Sequence, residues 1–391
     1  MIQNFLYHVP TKVYFGRGAA GHVKEEAAPF GRVLFVYGKG SIHRSGLYDR
    51  LMGDFRSAGL SVWELGGIGG NPEIEAVREG TALAKVHGIS CIVAAGGGSV
   101  MDTGKMIAAA AASDEDPWTL ISRRIPASRA LPVLAVTTAA ATGSEMNGSA
   151  VITNPETAEK FGYSSEKIRP YAAFLDPENT YTVPAYQTAC GSADIMSHIM
   201  EDYFHKGEGF AMADAFMEGM LRSVIGNAPL AMKEPCNYDA RAELMWDAVW
   251  AINDFTSCGA PVPWSCHGME HELSARFGIV HGHGLAILTP RWMRYILSDA
   301  TAPRLARFAR NVFGTAETDD RRAAEEGIAK LSDFFFETLE LAGRLRDLPV
   351  KREDFQLMAE RAVAWKGKNG VIPGFAPLTA KDVEAIYEMS W

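Results

Sequence analysis

Histidine is concentrated in one part of the chain, between residues 198 and 283. Six of the ten histidines lie there, namely His198, His205, His267, His271, His281 and His283. Two pairs of residues are four positions apart, Asp194 with His198 and His267 with His271, so each pair would project from one face of a helix. One carboxylate with three imidazoles is a suitable tetrahedral ligand set for a divalent ion. The spacing therefore predicts a metal centre in this part of the chain.

A glycine-rich turn, Gly96-Gly97-Gly98-Ser99, follows the apolar run 92–95 and precedes a helical pattern. Glycine lets the backbone approach a ligand closely, and a helix N-terminus offers free N–H groups and a partial positive charge. This arrangement suits a pyrophosphate. Asp102 and Lys105 lie on the first turns of the same helix, where they could contact a ribose, a nicotinamide or a phosphate.

A second loop of small residues, 137–145, follows the next apolar run at 133–136. Its hydroxyl groups belong to Thr137, Thr138, Thr142 and Ser144. Ligands of parallel sheets bind beyond the carboxyl ends of the strands, so two such loops together predict a dinucleotide site. A dinucleotide combined with a divalent metal favours hydride transfer at a polarised carbonyl group.

The chain contains two kinds of sequence pattern, which predict two domains, residues 1–183 and 184–391. The first alternates apolar strands with helical patterns, which is typical of an α/β Rossmann-like domain with a parallel sheet. Its strand patterns are 33–37, 61–65, 92–95 and 133–136. The second predicts an all-α domain. Its helical patterns are 187–204, 209–227, 240–256, 302–313, 320–345 and 353–365.

The amino-acid composition disfavours some classes of binding partner. With 38 Lys and Arg against 47 Asp and Glu, the net charge is −9, which disfavours a nucleic acid or an anionic membrane as partner. No run of 18 apolar residues predicts a transmembrane helix. The five cysteines are irregularly spaced and odd in number, so reduced thiols and a cytoplasmic location are expected.

Together these motifs resemble the iron-containing (group III) alcohol dehydrogenases, over nearly the whole chain from Thr11 to Ile386. The resemblance implies a dehydroquinate synthase-like fold with the active site in a cleft between two domains. It also implies a specific ligand set for Fe(II) or Zn(II), consisting of Asp194, His198, His267 and His281. His271 would then be the catalytic residue beside the nicotinamide and the substrate.

The turn after the first strand pattern bears on the choice of cofactor. It reads Gly38-Lys39-Gly40-Ser41 and resembles the NADPH-dependent butanol dehydrogenase and aldehyde reductase branch of this family. The turn has no carboxylate to repel a 2′-phosphate, so NADP(H) is expected. Asn71 and Lys160 complete the expected cofactor-binding residues. The expected reaction is hydride transfer between NADPH and a small aliphatic aldehyde such as butanal.

Other functions are compatible with the same motifs. One is an NAD-dependent polyol oxidoreductase like glycerol dehydrogenase, and another is a non-catalytic metal-binding protein on the same fold. The intact glycine-rich turn disfavours the second. Dehydroquinate synthase is disfavoured because Arg276 is the only basic residue other than histidine between 250 and 284. A homodimer is expected, since the segment from Phe5 to Tyr14 could supply an edge strand.

Overall fold

A computed structural model describes residues 2–205, 209–260, 262 and 264–391. The chain divides into two units. The α/β unit comprises His8–Val183 and Glu234–Val249, and the helical unit comprises Met1–Tyr7, Pro184–Lys233 and Trp250–Trp391. The units differ from the expected division after residue 183 in two short segments. Residues 1–7 belong to the helical unit, and residues 234–249 belong to the α/β unit.

A six-stranded parallel sheet forms the centre of the α/β unit, in the order β1-β8-β5-β4-β2-β3. Its strands are β1 (Lys12–Phe15), β2 (Arg32–Gly38), β3 (Ser61–Ile68), β4 (Cys91–Gly96), β5 (Val133–Thr137) and β8 (Ala172–Leu175). A separate antiparallel hairpin consists of β6 (Ser149–Asn154) and β7 (Glu159–Ser164). The expected parallel sheet is confirmed.

The central strands form because they are apolar on both faces. In β2, Leu34 and Val36 join one buried cluster, whereas Val33 and Phe35 join another. Successive side chains of a strand point to opposite faces, so the two clusters lie on the two sides of the sheet. A strand buried on both sides must run as a continuous apolar segment, which is the pattern of parallel sheets.

Helices cover both faces of this sheet. Those of the α/β unit are α1 (Val23–Ala27), α2 (Ser41–Arg44), α3 (Leu47–Ser57), α4 (Ile74–His87), α5 (Gly98–Ala111), α6 (Pro117–Ser122) and most of α9 (Tyr238–Trp250). The late helix α9 packs here because Met245 and Val249 join Leu175 in an apolar cluster, and Arg17 lies 4.1 Å over the Tyr238 ring.

The helical unit is built around α7, whose residues 188–203 are all buried. Helix α7 packs against α8 and α11, and α10 packs against α11 and α14. The helices of this unit are α7 (Ala185–Tyr203), α8 (Ala211–Lys233), α10 (Ser265–Phe277), α11 (His281–Ile296), α12 (Ala302–Phe313), α13 (Asp320–Asp333), α14 (Phe355–Lys366) and α15 (Ala380–Ser390). The largely helical character expected of the second half is confirmed.

Two predicted helices are too long. The pattern 320–345 predicts one helix, but α13 ends at Asp333, continues as a single π-helical turn over Phe334–Thr338 and gives way to irregular chain. Glu340 has a φ of 54°, which a right-handed helix cannot accommodate. The pattern 240–256 likewise ends at Trp250, with the left-handed Asp254 (φ 71°) shortly beyond.

Candidate active site

Three helices bring the four expected ligand residues together. Helix α7 carries Asp194 and His198, α10 carries His267, and α11 begins at His281. The Oδ1 atom of Asp194 lies 3.6 Å from Nε2 of His198, 3.9 Å from Nε2 of His267 and 3.7 Å from Nε2 of His281. The ring nitrogens of all three histidines thus approach one Asp194 oxygen. The ligand atoms of Asp194, His267 and His281 all lie within 4.8 Å of one another, and His198 lies outside that group of three.

The geometry of this cluster suits a divalent ion. In a tetrahedral site with bonds of about 2.0–2.1 Å, neighbouring ligand atoms are roughly 3.4 Å apart, close to the distances found here. The Nε2 atom of His267 is buried without a hydrogen-bond partner among the described residues, which leaves its lone pair available to an ion. Burial also holds the pKa of His198 well below its usual value, which favours the neutral, metal-binding imidazole.

A buried glutamate from α7, Glu201, supports His267. Its Oε1 atom lies 3.4 Å from Nδ1 of His267 and accepts a hydrogen bond from the backbone N–H of the same residue at 3.1 Å. Its Oε2 atom accepts from the backbone N–H of Ser265 at 2.9 Å. Ser265 and His267 are in the first turn of α10, so one carboxylate contacts both the start of the helix and a ligand ring.

A second buried glutamate, Glu270 on α10, supports His281. The Nδ1 atom of His281 donates a hydrogen bond to Oε2 of Glu270, and the Ser274 hydroxyl donates to Oε1. Glu270 is completely buried. Neither Glu201 nor Glu270 was predicted from the sequence. Glu270 directly precedes the expected catalytic residue, but nothing in its spacing indicated which histidine it contacts.

The other histidines of the cluster region differ in their surroundings. His271 is buried, and its ring centre lies 5.5 Å from that of His281. His283 has partners at both ring nitrogens, the Tyr186 hydroxyl at 3.0 Å and the backbone oxygen of Ala342 at 2.9 Å. His205 lies 3.4 Å from an Asp214 oxygen. Only His271 among these three stands beside the expected ligands.

The glycine-rich turn joins β4 to α5 in the α/β unit. Helix α5 begins at Gly98, no side chain caps its N-terminus, and Gly97 and Ser99 are half-buried. A Cβ atom on Gly98 would lie 2.3 Å from the Thr142 hydroxyl, so the two predicted loops touch at that point. The backbone N–H of Thr138 also donates to Gly96 at 3.0 Å. The structure thus brings the two loops together, with a free helix N-terminus between them.

Several hydroxyls predicted to contact the cofactor make hydrogen bonds within the protein, to Gly70, to α5 and within the second loop. Ser99 donates to the backbone oxygen of Gly70 at 2.7 Å, and Ser144 donates to Asp102 at 2.5 Å. Thr142 accepts from the backbone N–H of Ser144, and the buried Thr137 lies 3.9 Å from the sulfur of Met101. These contacts shape the loops and keep their backbone donors in place.

Asp102 and Lys105 are buried in the α/β unit. Asp102 accepts from Ser144 and from the backbone N–H of Val151, while Lys105 donates to Asn147 at 2.9 Å and to the Ser149 backbone oxygen at 2.8 Å. Burial raises the pKa of Asp102 and lowers that of Lys105 to about 8. A buried lysine with two fixed acceptors ties α5 to the start of β6.

A third buried charged group, Glu145, is the last residue of the second loop and was not among the predicted site residues. It is 1% exposed, and its Oε1 atom has no hydrogen-bond partner among the described residues. Burial raises the pKa of Glu145 to about 7, although the nearby Lys105 and a hydrogen bond with Thr137 oppose this shift. Its position after a Thr-Gly-Ser run was a weak signal of a special role.

The remaining expected cofactor residues lie in two other places. Lys39, Gly40 and Ser41 are exposed after β2, and Gly38 is half-buried. A Cβ atom on Gly38 would meet its nearest neighbours at 3.7 Å, an ordinary contact distance. Asn71 and Lys160 stand together, with 3.5 Å between the ammonium nitrogen and the amide oxygen.

Comparison with known protein families gives a consistent assignment. The sequence model described as "Iron-containing alcohol dehydrogenase" matches residues 10–177. The one described as "Fe-containing alcohol dehydrogenase family, C-terminal" matches residues 188–391. The two matches follow one another along the chain and together span nearly all of it. No helix among the described residues is long and apolar enough to cross a membrane.

Individual relatives agree with the family models. NADH-dependent butanol dehydrogenase A of Clostridium acetobutylicum is 41% identical over 389 residues, which is 99% of this chain and 100% of the relative. NADPH-dependent aldehyde reductase YqhD of Escherichia coli is 37% identical over 340 residues, 85% of this chain and 86% of the relative. The crystal structure of NADH-dependent butanol dehydrogenase A from Thermotoga maritima superposes with a TM-score of 0.95 at 34% identity, covering 100% of this chain and 99% of the other. The resemblance seen in the sequence is thereby confirmed, and the chain belongs to the iron-containing alcohol dehydrogenase family, whose members combine a divalent metal with a nicotinamide cofactor.

Proposed function

We propose that this oxidoreductase is a metal-dependent NADPH reductase of small aliphatic aldehydes such as butanal. The observation that carries this proposal is the approach of one ring nitrogen from each of His198, His267 and His281 to within 3.6–3.9 Å of the same Asp194 oxygen. We assign those four residues as ligands of one Fe(II) or Zn(II) ion. In the same proposal, residues 1–183 mainly bind the dinucleotide, and residues 184–391 hold the metal and the substrate.

The chain's own residues would divide the work. When bound, the nicotinamide supplies the hydride, and the divalent ion supplies Lewis acidity toward the substrate oxygen. Asp194 contributes one negative charge to the ligand set, and the neutral imidazoles contribute lone pairs. His271 stands beside His281 and is assigned to hold the proton that the product oxygen takes up. The uncapped N-terminus of α5 is assigned to the pyrophosphate.

The preference for NADPH rests on the turn after β2. Gly38 leaves room beside the strand, Lys39 adds a positive charge, and Ser41 adds a donor. Glu64, on the neighbouring strand, accepts hydrogen bonds from the hydroxyls of Tyr37 and Tyr48.

Relatives are named for both NADH and NADPH, so the choice of cofactor is tested in a separate experiment. A Gly38→Asp substitution should reduce kcat/KM for NADPH far more than for NADH. Equal kcat/KM for both cofactors in the unmodified protein would contradict the preference.

The function itself is tested by following the oxidation of NADPH with butanal. Protein treated with a chelator should lose turnover, and either Fe(II) or Zn(II) should restore it. The NAD-dependent polyol reading is measured in parallel as the reduction of NAD by glycerol and by 1,3-propanediol, since two relatives are named 1,3-propanediol dehydrogenases. Faster polyol oxidation with NAD than butanal reduction with NADPH would replace the proposed function.

We also propose a homodimer in the cytoplasm. The strand β1 is at the edge of the sheet, and its Phe15 side chain is 45% exposed. An exposed edge strand is a template for pairing with a second chain. All five cysteines are free, as is typical of reducing compartments. Sedimentation at several protein concentrations gives the mass, and a monomer at every concentration would contradict the dimer.

A further inference from the structure

We infer that Glu201 and Glu270 are positioning residues of the metal centre, each fixing one ligand histidine and tying its helix to a neighbouring helix of the centre. This inference rests on the ligand set proposed above. Glu201 acts from α7 on His267 of α10, and Glu270 acts from α10 on His281 of α11. The two carboxylates thus connect, one after the other, the three helices that carry the ligands.

Glu201 replaces the missing cap of α10. The N-cap residue, Trp264, has a left-handed backbone (φ 57°, ψ 50°) and makes no side-chain cap. The first N–H groups of a helix have no partner within it, and leaving them unsatisfied in a buried place is costly. Glu201 accepts two of them, from Ser265 and His267, and its negative charge suits the helix N-terminus. The carboxylate that sets the beginning of the helix is therefore the one that contacts the His267 ring.

Glu270 orients His281 through the nitrogen that faces away from Asp194. A neutral imidazole has one N–H and one lone pair. Because Nδ1 of His281 donates to Glu270, the lone pair is at Nε2, the atom 3.7 Å from Asp194. The Ser274 hydroxyl holds the other oxygen of Glu270 and fixes the carboxylate itself. Carboxylates placed in this way set the ring orientation and raise the basicity of metal-binding histidines.

His198 provides an internal contrast. Its Nδ1 atom is buried without a hydrogen-bond partner among the described residues. Glutamates thus contact two of the three ligand histidines. The third, His198, lies on the same helix as Asp194, four residues after it. The two glutamates therefore act on α10 and α11, the helices whose ligand histidines must be positioned relative to α7.

The test measures metal binding directly and does not depend on turnover. Metal-free protein is titrated with Co(II) in competition with a chelator, and the visible d–d absorption of Co(II) reports the ligand geometry. Glu270→Ala should weaken binding by roughly 10- to 100-fold and change the spectrum. Glu270→Gln should weaken it less, because the amide oxygen still accepts from His281 and the amide N–H can donate to Ser274.

Glu201→Gln should be as severe as Glu270→Ala. Both oxygens of Glu201 accept from backbone N–H groups, so an amide must turn its own N–H group against one of them. The matched control is Glu218→Gln. Glu218 is another buried glutamate of the helical unit, which contacts the Tyr203 hydroxyl and Arg307. It should lower Tm while leaving Co(II) affinity and spectrum unchanged.

The possible outcomes separate this inference from the proposed function. Co(II) affinity and spectrum equal to those of the unmodified protein in Glu270→Ala, Glu270→Gln and Glu201→Gln would overturn the inference, whatever happens to Tm. If the Glu270→Ala protein fails to fold, the isosteric Gln variants decide. An unmodified protein that binds no Co(II) would overturn both the ligand set and the inference. One that binds Co(II) normally but does not reduce aldehydes would overturn only the proposed function.

Discussion

At the scale of single residues, the site depends on a dense set of buried charges. Asp194, Glu201 and Glu270 are each at most 7% exposed. Buried carboxylates are stable only when hydrogen bonds or cations compensate them. A divalent ion would offset two of these three negative charges. The three buried carboxylates therefore favour a cation in the cluster and require backbone and hydroxyl donors around the glutamates.

The first prediction separates ligands from the catalytic residue. His198→Ala and His267→Ala should each lose metal, at a cost of roughly 10- to 100-fold or more in affinity. His271→Ala should keep its metal and lose turnover by roughly 10²- to 10⁴-fold, the usual contribution of general acid catalysis. Metal content by mass spectrometry and NADPH oxidation are measured on the same samples. Loss of metal in His271→Ala would move this residue into the ligand set.

The second prediction concerns Glu145 and pH. Burial raises the pKa of Glu145 to about 7 in the folded chain, from its ordinary value of 4.5. Between those values the folded chain binds more protons than the unfolded chain, so the free energy of unfolding falls as pH rises. Each pKa unit corresponds to about 1.4 kcal/mol, giving roughly 3 kcal/mol as an upper value. Glu145→Gln should therefore stabilise the protein relative to the unmodified chain, increasingly from pH 4.5 to 7. Urea unfolding at several pH values measures this difference, and a constant difference across that range would contradict it.

Some of the contacts in the site could be predicted from the sequence, and others could not. The i, i+4 pairs of Asp194 with His198 and of His267 with His271 indicate shared faces, because helix geometry is local. Glu201 contacts a residue 66 positions away, and no spacing rule predicts such a pairing. Lys105 was predicted to contact a phosphate or a ribose oxygen. Its hydrogen bonds to Asn147 and Ser149 could not be predicted, because they depend on how β6 folds back over α5.

At the scale of elements, the close approach of α7 and α11 places His281 beside Asp194. Gly282, in the first turn of α11, makes this approach possible. A Cβ atom there would lie 1.9 Å from the backbone oxygen of Cys190 on α7. A backbone atom cannot move aside as a flexible side chain can, so the two helices would have to separate.

The third prediction follows from that contact. Gly282→Ala should destabilise the protein by about 1–3 kcal/mol or more, as overpacking does, and should also weaken metal binding because His281 moves with its helix. The matched control is Gly226→Ala in α8, where a Cβ atom meets nothing within 4 Å. That change should stabilise the protein by about 0.5–1 kcal/mol, since alanine favours a helix interior. Unfolding curves and Co(II) titrations of both variants decide. Unchanged metal affinity in Gly282→Ala would show that the approach of α7 and α11 does not set the ligand geometry.

Exposure of one face explains only part of the helix prediction, since α7 was predicted at 187–204 although its residues 188–203 are all buried. Helix α12 was predicted with its correct bounds, 302–313, because its buried residues follow a clear helical period. Helices α10 and α11 were absent from the predicted set. In α10 residues 265–274 are all buried, so no exposed polar face marks the period. The bounds of α10 and α11 were therefore not predicted, although the four-residue spacing of His267 and His271 indicated a helix at that place.

At the scale of the whole molecule, all four proposed ligands belong to the helical unit. Binding to the folded state stabilises a protein by about 2.7 kcal/mol when the free ligand is at 100 times its Kd. A metal held by α7, α10 and α11 should therefore stabilise this unit, and the effect should grow with metal concentration.

The sequence predicted two domains and a metal centre in the second half. It did not predict that α9 returns to the α/β unit, because that packing depends on Met245 and Val249 meeting Leu175.

The last prediction uses that distribution of ligands. Treatment with a chelator should lower Tm, and hydrogen exchange should become faster in α7, α10 and α11, while the central strands β4 and β5 keep their protection. This difference between the helices and the sheet is expected because the metal would connect segments of three helices. Strands β4 and β5 are instead held by hydrogen bonds to neighbouring strands and by apolar burial on both faces. Exchange is measured by mass spectrometry with the metal, without it and after its return. The double variant His198→Ala, His267→Ala serves as the control in which the chelator should have no effect. Equal acceleration in the sheet and in the three helices would show that the metal stabilises the chain as a whole, and no change in either would place the metal outside these helices.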